Sequence, residues 1–131
     1  METIRKECSS NEIQLHSRVA SMGLAPPIVE TDNATFMVME RIPAMNLADY
    51  YTPSIRRLPH YVRQQIVSIL ETMYLVGGIQ YVDITPYNFI EYNGKVWVVD
   101  FEHAYECDEP LHPLLSQILA TQKLKWNKDF K

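Results

Sequence analysis

The chain has 131 residues, 47% of them apolar, which is enough for one folded domain with a core and too many for a disordered polymer. Twelve basic residues against 16 acidic ones give a net charge of −4 with no basic run, which argues against a dedicated nucleic-acid binder. Uncharged stretches such as residues 72–82 fall far short of the roughly 20 apolar residues that span a bilayer. The opening Met1-Glu-Thr-Ile-Arg-Lys-Glu lacks the apolar centre of a secretory signal. Cys8 and Cys107 have no CxxC spacing, which disfavours a disulfide scaffold or a zinc knuckle. The expectation is one cytosolic, reduced domain with no membrane or nucleic-acid partner, so Asn33-Ala-Thr35 reads as a chance match to a glycosylation acceptor.

Residues 2–7 alternate weakly and predict a short strand. Ser9-Ser-Asn-Glu12 reads as a capping box, with Ser9 as N-cap, and opens a helix over 10–22. Gly23 stops that helix, and Pro26-Pro27 forbids its continuation. Ile28-Val-Glu is a strand, Asp32-Asn33 a turn and residues 35–42 a second strand, ended by Pro43. A short helix is expected over 46–51. A longer one opens at Leu58-Pro59 and carries Val62, Ile66, Ile69, Leu70, Met73 and Tyr74 as a single apolar stripe up to Gly77-Gly78. Residues 89–92 and 95–99 flank Asn93-Gly94, the strongest short-range hairpin signal, because a type I′ turn needs positive φ at both central positions. A polar loop over 105–110, a last helix near 111–123 and a polar tail complete the chain. Met37 and Met39 read as core packing, and Tyr50, Tyr51 and Trp97 as partly buried aromatics.

The chemistry concentrates around the hairpin. Asn88 precedes its first strand and Asp100 follows its second, so a tight turn brings the two positions together. An amide oxygen and a carboxylate suit a hard cation such as Mg²⁺, which keeps waters and takes substrate phosphates as further ligands. Asp83, on the loop before the hairpin, is placed to accept or orient a hydroxyl proton. Glu102 and His103 follow Asp100 but stand outside the predicted site.

The run Gln80-Tyr-Val-Asp-Ile-Thr-Pro-Tyr-Asn-Phe-Ile, then a hairpin, then Val-Val-Asp-Phe-Glu, resembles the catalytic and metal loops of the protein-kinase-like superfamily. Its Asp-Phe-Glu variant is more similar to choline kinases and aminoglycoside-type phosphotransferases than to typical protein kinases. The resemblance, over roughly residues 4–104, implies Asp83 as catalytic aspartate, Asn88 and Asp100 as metal ligands, and ATP with Mg²⁺ as co-substrate. It also implies that Lys6 and Glu12 form the ion pair that serves the nucleotide. Met39, Glu40 and Ile42 would form the strand end and hinge that meet adenine. The fold it implies is α+β, a minimal kinase-like domain over 1–131 with a truncated N-lobe (1–42) and a shortened helical C-lobe (43–131). So small a kinase-like chain points to a compact genome such as that of a virus, whose product would work in the host cytoplasm, or to a remnant.

The chain also departs from that pattern. None of its four glycines precedes Gly23, so no glycine-rich phosphate loop is present, and Lys6 lies only six residues before Glu12. Tyr81 and Val82 replace the usual histidine and arginine, Thr85 stands where serine/threonine kinases carry lysine, and no Ala-Pro-Glu follows Asp100. Glu12 is either an ion-pair partner or only the far side of a capping box, and Lys6 either a phosphate ligand or a solvated lysine. Three functions therefore compete. One is a phosphotransferase acting on a protein or small-molecule hydroxyl. Another is an inactive kinase-like (pseudokinase) module that docks on a partner kinase or on a second copy. The last is an unrelated α+β domain whose hairpin ends only look catalytic.

Overall fold

A computed structural model describes residues 2–106 and 110–130. Cys107 lies outside the described residues. The first strand, β1 (Thr3–Glu7), leads through Cys8 and Ser9 into α1 (Ser10–Ser21). The Ser9 side chain accepts from the Glu12 backbone N–H, as an N-cap should, and Gly23 takes a left-handed φ of 76° just past the helix end. Strands β2 (Ile28–Thr31) and β3 (Phe36–Glu40) follow, β3 being shorter than the predicted 35–42. β3 is central in an antiparallel sheet of order β1-β3-β2, with Lys6 opposite Met37 and Ile4 opposite Met39.

Beyond Pro43 the chain turns helical. Asn46 caps α2 (Leu47–Tyr51), and α3 (His60–Leu75) runs from Pro59 to the Gly77-Gly78 stop. The predicted α3 stripe is buried at Val62, Ile66, Ile69, Leu70 and Met73, whereas Tyr74 is only half-buried. The hairpin β5 (Phe89–Tyr92) and β6 (Lys95–Val98) closes on Asn93 and Gly94, both at positive φ (52° and 78°). The residue pattern fails at Tyr105-Glu106. This dipeptide is β7 (Tyr105–Glu106), which pairs with β4 (Ile79–Gln80) where a polar loop was expected. The last helix, α4 (Pro113–Thr121), ends at Gln122 in a left-handed conformation.

The main core joins the α3 stripe to Phe89, Val96 and Val98 of the hairpin, to Leu115 and Ile118 of α4, and to Leu15 and Val19 of α1. Each such side chain contributes about 1.5–3 kcal/mol on burial. A smaller cluster of Ile13, Met37 and Met39 lies under the three-stranded sheet, so both methionines are core residues as expected. α1 thus serves both clusters, with Ile13 toward the sheet and Leu15 and Val19 toward the helices. Tyr50, expected to be partly buried, is 63% exposed. The supposed polar tail is no solvated tail. Leu124 and Asn127 are buried, and Trp126 stacks on Phe89 with ring centroids 6.4 Å apart. The result is a mixed α/β fold of several helices and small sheets, consistent with a compact kinase-like fold. Among the described residues no helix is long and apolar enough to cross a membrane.

Candidate functional site

The hairpin ladder extends one rung past its strands. Val99 N–H donates to the Asn88 carbonyl at 2.9 Å, which sets Asn88 against the residue before Asp100. Asp100 then takes φ 68°, a left-handed conformation that ends strand alternation and turns the chain toward Phe101. Its carboxylate accepts from Glu102 N–H at 3.2 Å and lies 3.3 Å from the Lys6 ammonium. Lys6 also pairs with the buried carboxylate of Glu12. The three residues Lys6, Glu12 and Asp100, drawn from β1, α1 and the hairpin end, therefore meet in one cluster.

Glu12 accordingly does not close the capping box with its side chain. The Ser9 half of the box forms, but the Glu12 carboxylate turns inward to Lys6 and accepts from Phe101 N–H at 3.4 Å. Nor is Lys6 a free surface lysine. Burial works to lower its pKa, but the carboxylates of Glu12 and Asp100 outweigh burial and raise it, so the ammonium stays charged.

Asp83 sits on a loop folded back on itself, with Ile84 N–H donating to the Val82 carbonyl and Thr85 N–H to the Asp83 carbonyl. Asn88 Nδ2 donates to that same Asp83 carbonyl at 3.0 Å. The Asp83 side chain is buried. Burial first, and the charge of Asp100 second, raise its pKa above the ordinary carboxylate value, while a hydrogen bond from Asn88 opposes them. Asp83 is thus near enough to both Asn88 and Asp100 to be influenced by each. Asn88 spends its amide nitrogen on the loop. Its amide oxygen and the Asp100 carboxylate are a hard donor set, and positive charge between them would relieve the repulsion that raises Asp83. The residues fit Mg²⁺. Among the described residues no cluster of three or more His, Cys, Asp or Glu is arranged to hold a metal, so such a cation depends on further oxygens from a phosphate or water.

A cleft of about 710 Å³ opens beside this cluster, and Met39, Glu40 and Ile42 line it together with Ile4, Tyr87 and Val99. The three residues expected at the adenine end therefore share one hollow, and Val99 in its wall is followed directly by Asp100. Lys6, Glu12, Asp83, Asn88 and Asp100 are not among its lining residues.

Two site residues escaped the sequence reading. Tyr81, noted only as a departure from histidine, is wholly buried and donates its hydroxyl to the Val99 carbonyl at 2.6 Å. Its ring meets Phe89 and Phe101 edge-on, and Phe101 in turn meets His16 of α1 at 5.2 Å. Burial pushes the Tyr81 phenol far above its usual pKa, so it acts as a neutral strut. The aromatic run Tyr81, Phe89 and Phe101 was the signal, since three large rings bracketing Asp83 and Asp100 must pack together. The other residue is Asn127, whose amide donates to the Val82 carbonyl. Leu124, Trp126 and Phe130 at apolar spacing around it were the available sign that the tail docks.

A family model for the RIO domain matches residues 1–120 of the chain. No curated protein gives a significant match. The match covers the Lys6–Glu12 pair, the Asp83 loop and the hairpin, and it supports a kinase-like enzymatic role and the use of ATP with Mg²⁺. The chain belongs to the RIO-domain family of atypical kinases, within the protein-kinase-like superfamily.

Proposed function

We propose that the protein is a phosphotransferase that moves the γ-phosphate of Mg·ATP to a hydroxyl acceptor on a protein or small molecule. Residues 1–42 form a reduced N-lobe and 43–131 a reduced C-lobe. The adenine lies in the cleft at Met39, Glu40 and Ile42, and Lys6, held by Glu12, contacts the phosphates. Asn88 and Asp100 would hold Mg²⁺, which would supply compensation of the phosphate charge. Asp83 orients the acceptor hydroxyl. The hydroxyl oxygen bonds to the γ-phosphorus, the bond from that phosphorus to the β–γ bridging oxygen breaks, ADP departs, and the hydroxyl proton passes to Asp83. The raised pKa of Asp83 makes it a better proton acceptor than an ordinary aspartate. Catalysis is thus positioning and charge compensation rather than covalent chemistry. The observation that carries this reading is the meeting of Lys6, Glu12 and Asp100 across 94 residues of sequence, beside the loop of Asp83 and Asn88.

One observation favours a second reading. Asp100 already engages Lys6 and its own Glu102 N–H, an arrangement that also suits a closed structural ion-pair network in a pseudokinase module acting on a partner kinase. Thermal unfolding separates the two. Millimolar ATP with Mg²⁺ should raise the melting temperature, and ATP with EDTA should raise it less; binding at 100 times Kd contributes about 2.7 kcal/mol. The parent should release phosphate from ATP, and Asp100→Ala should reduce that by at least tenfold. No thermal shift favours the docking module, and equal turnover in parent and variant defeats the enzyme.

A further inference from the structure

We infer that Asn127 is a positioning residue for the Asp83 loop, and that residues 122–130, which carry it, work as a strap across that loop. The inference rests on the phosphotransfer reading for its catalytic meaning, but its structural claim stands by itself. Asn127 is buried and uses all its polar groups. Its Nδ2 donates to the Val82 carbonyl at 2.8 Å, and its backbone N–H donates to the Ile84 carbonyl at 2.8 Å. These are the carbonyls on either side of Asp83. The carbonyl between them, that of Asp83, is taken by Asn88. Three successive peptide planes are therefore fixed, two of them by one residue about 45 positions away in the chain.

The loop needs such support. Its own bonds, Ile84 N–H to Val82 and Thr85 N–H to Asp83, span only two residues and are the tight, weakly directional bonds of γ-type turns. The strap supplies a rigid frame. Asn127 Oδ1 accepts from Asp129 N–H at 3.0 Å and its carbonyl accepts from Phe130 N–H at 3.2 Å, which fixes the orientation of the amide. Leu124 is buried in the main core, Trp126 stacks on Phe89, and Phe130 packs on His103 with ring centroids 5.0 Å apart. The strap thereby touches the chain immediately after Asn88 and shortly after Asp100, as well as on either side of Asp83. A displacement of about 1 Å at a reacting group can cost about a hundredfold in rate, so a residue that orients the Asp83 peptide influences the chemical step without touching substrate.

The test uses the full chain with Asn127→Asp, which keeps the oxygen that Asp129 needs but removes the donor to Val82. Asn127→Ser, which keeps a shorter donor, is the milder second variant. Amide hydrogen exchange should quicken at least tenfold in Asn127→Asp within residues 82–88, with α3 and β3 unchanged and Asn127→Ser intermediate. Phosphate release from Mg·ATP should lose at least tenfold in kcat, with KM for ATP within twofold of the parent. Unchanged exchange in the loop, exchange quickened equally throughout the chain, or loss of the fold in both variants overturns the strap. Exchange altered as expected, with kcat within twofold of the parent, overturns the positioning role. A parent without turnover defeats the phosphotransfer reading instead, and the exchange measurement then decides the strap alone.

Discussion

Lys6 is set among two carboxylates by strand register, not by local sequence. It stands opposite Met37 in the sheet, and the next turn of chain delivers Glu12 to it on the first turn of α1. A glutamate three residues after a serine fits a capping box, and the same carboxylate can pair with a lysine, so residues 9–12 left both readings open. The structure resolves them by dividing the residue. The backbone of Glu12 belongs to the cap and its side chain to Lys6. His16 lies one turn further along α1. It is fully buried, its Nε2 bonds the Pro26 carbonyl at 2.8 Å, and its buried Nδ1 has no hydrogen-bond partner among the described residues. Burial lowers its pKa below the ordinary 6.5, against the smaller opposing effects of the Pro26 carbonyl and Glu12. The unfolded chain then binds a proton near pH 6.5 that the folded one refuses. Stability is full above that value, falls as pH drops through it, and levels off below the lowered native pKa. The slope from this residue is at most about 1.4 kcal/mol per pH unit. Urea unfolding of the parent should show this loss between pH 7 and 5, and His16→Gln should show a flatter profile. Identical slopes in the two proteins would contradict it.

At the scale of elements, contact between α1 and the end of α3 depends on a residue with no side chain. Gly77 follows α3, its carbonyl accepts from Arg18 at 3.0 Å, and an added Cβ would lie 2.8 Å from the Met73 carbonyl and 2.9 Å from Met22. Methionine can yield, but a backbone carbonyl of α3 cannot without unwinding the last turn. Gly77→Ala is expected to cost about 1–3 kcal/mol, the usual range for overpacking, and to lower the denaturation midpoint without changing the slope. A midpoint equal to the parent's would mean that the helix end gives way freely. The sequence marked Gly77 only as a stop. Elements whose signals are local, such as the capped α1, the α3 stripe and the Asn93-Gly94 turn, were readable because each is fixed by residues within a few positions. β4 and β7 were not. A two-residue strand has no periodicity to read, and its partner lies about 26 positions away. The docked tail was missed for the same reason. Its exposed lysines suggest solvent on composition, while Leu124, Trp126 and Asn127 find partners only in the assembled fold. That Asn88 lies against the residue before Asp100 was legible because a hairpin converts sequence spacing into spatial proximity. Tyr81 and Asn127, which bond the carbonyls of Val99 and Val82, carry no such spacing.

On the scale of the whole molecule, the two cores are unequal. The sheet β1-β3-β2 rests on Ile13, Met37 and Met39 with Cys8 and Ile28 at their edge, whereas α3, α4 and the hairpin share the large cluster. The sheet is tied to the remainder through α1, which puts Ile13 in the small cluster and Leu15 and Val19 in the large one, and through the ion pair of Lys6 with Asp100. A partly exposed ion pair in such a tie adds about 0–1 kcal/mol. Local opening follows the distribution of buried apolar contact, so the sheet should open without the helical part. Native-state hydrogen exchange should show β3 amides exchanging through an opening at least about 2 kcal/mol cheaper than that of the central α3 amides. That difference corresponds to a factor of about 30 in rate. If the cleft between sheet and hairpin holds Mg·ATP, the nucleotide bridges the two parts, and β3 protection should rise more than α3 protection on its addition. Equal exchange in β3 and α3 would mean a single cooperative unit. A rise confined to α3 would place the nucleotide away from Met39 and Ile42. A nucleotide bound in that cleft would thus join the two cores as well as present its phosphates.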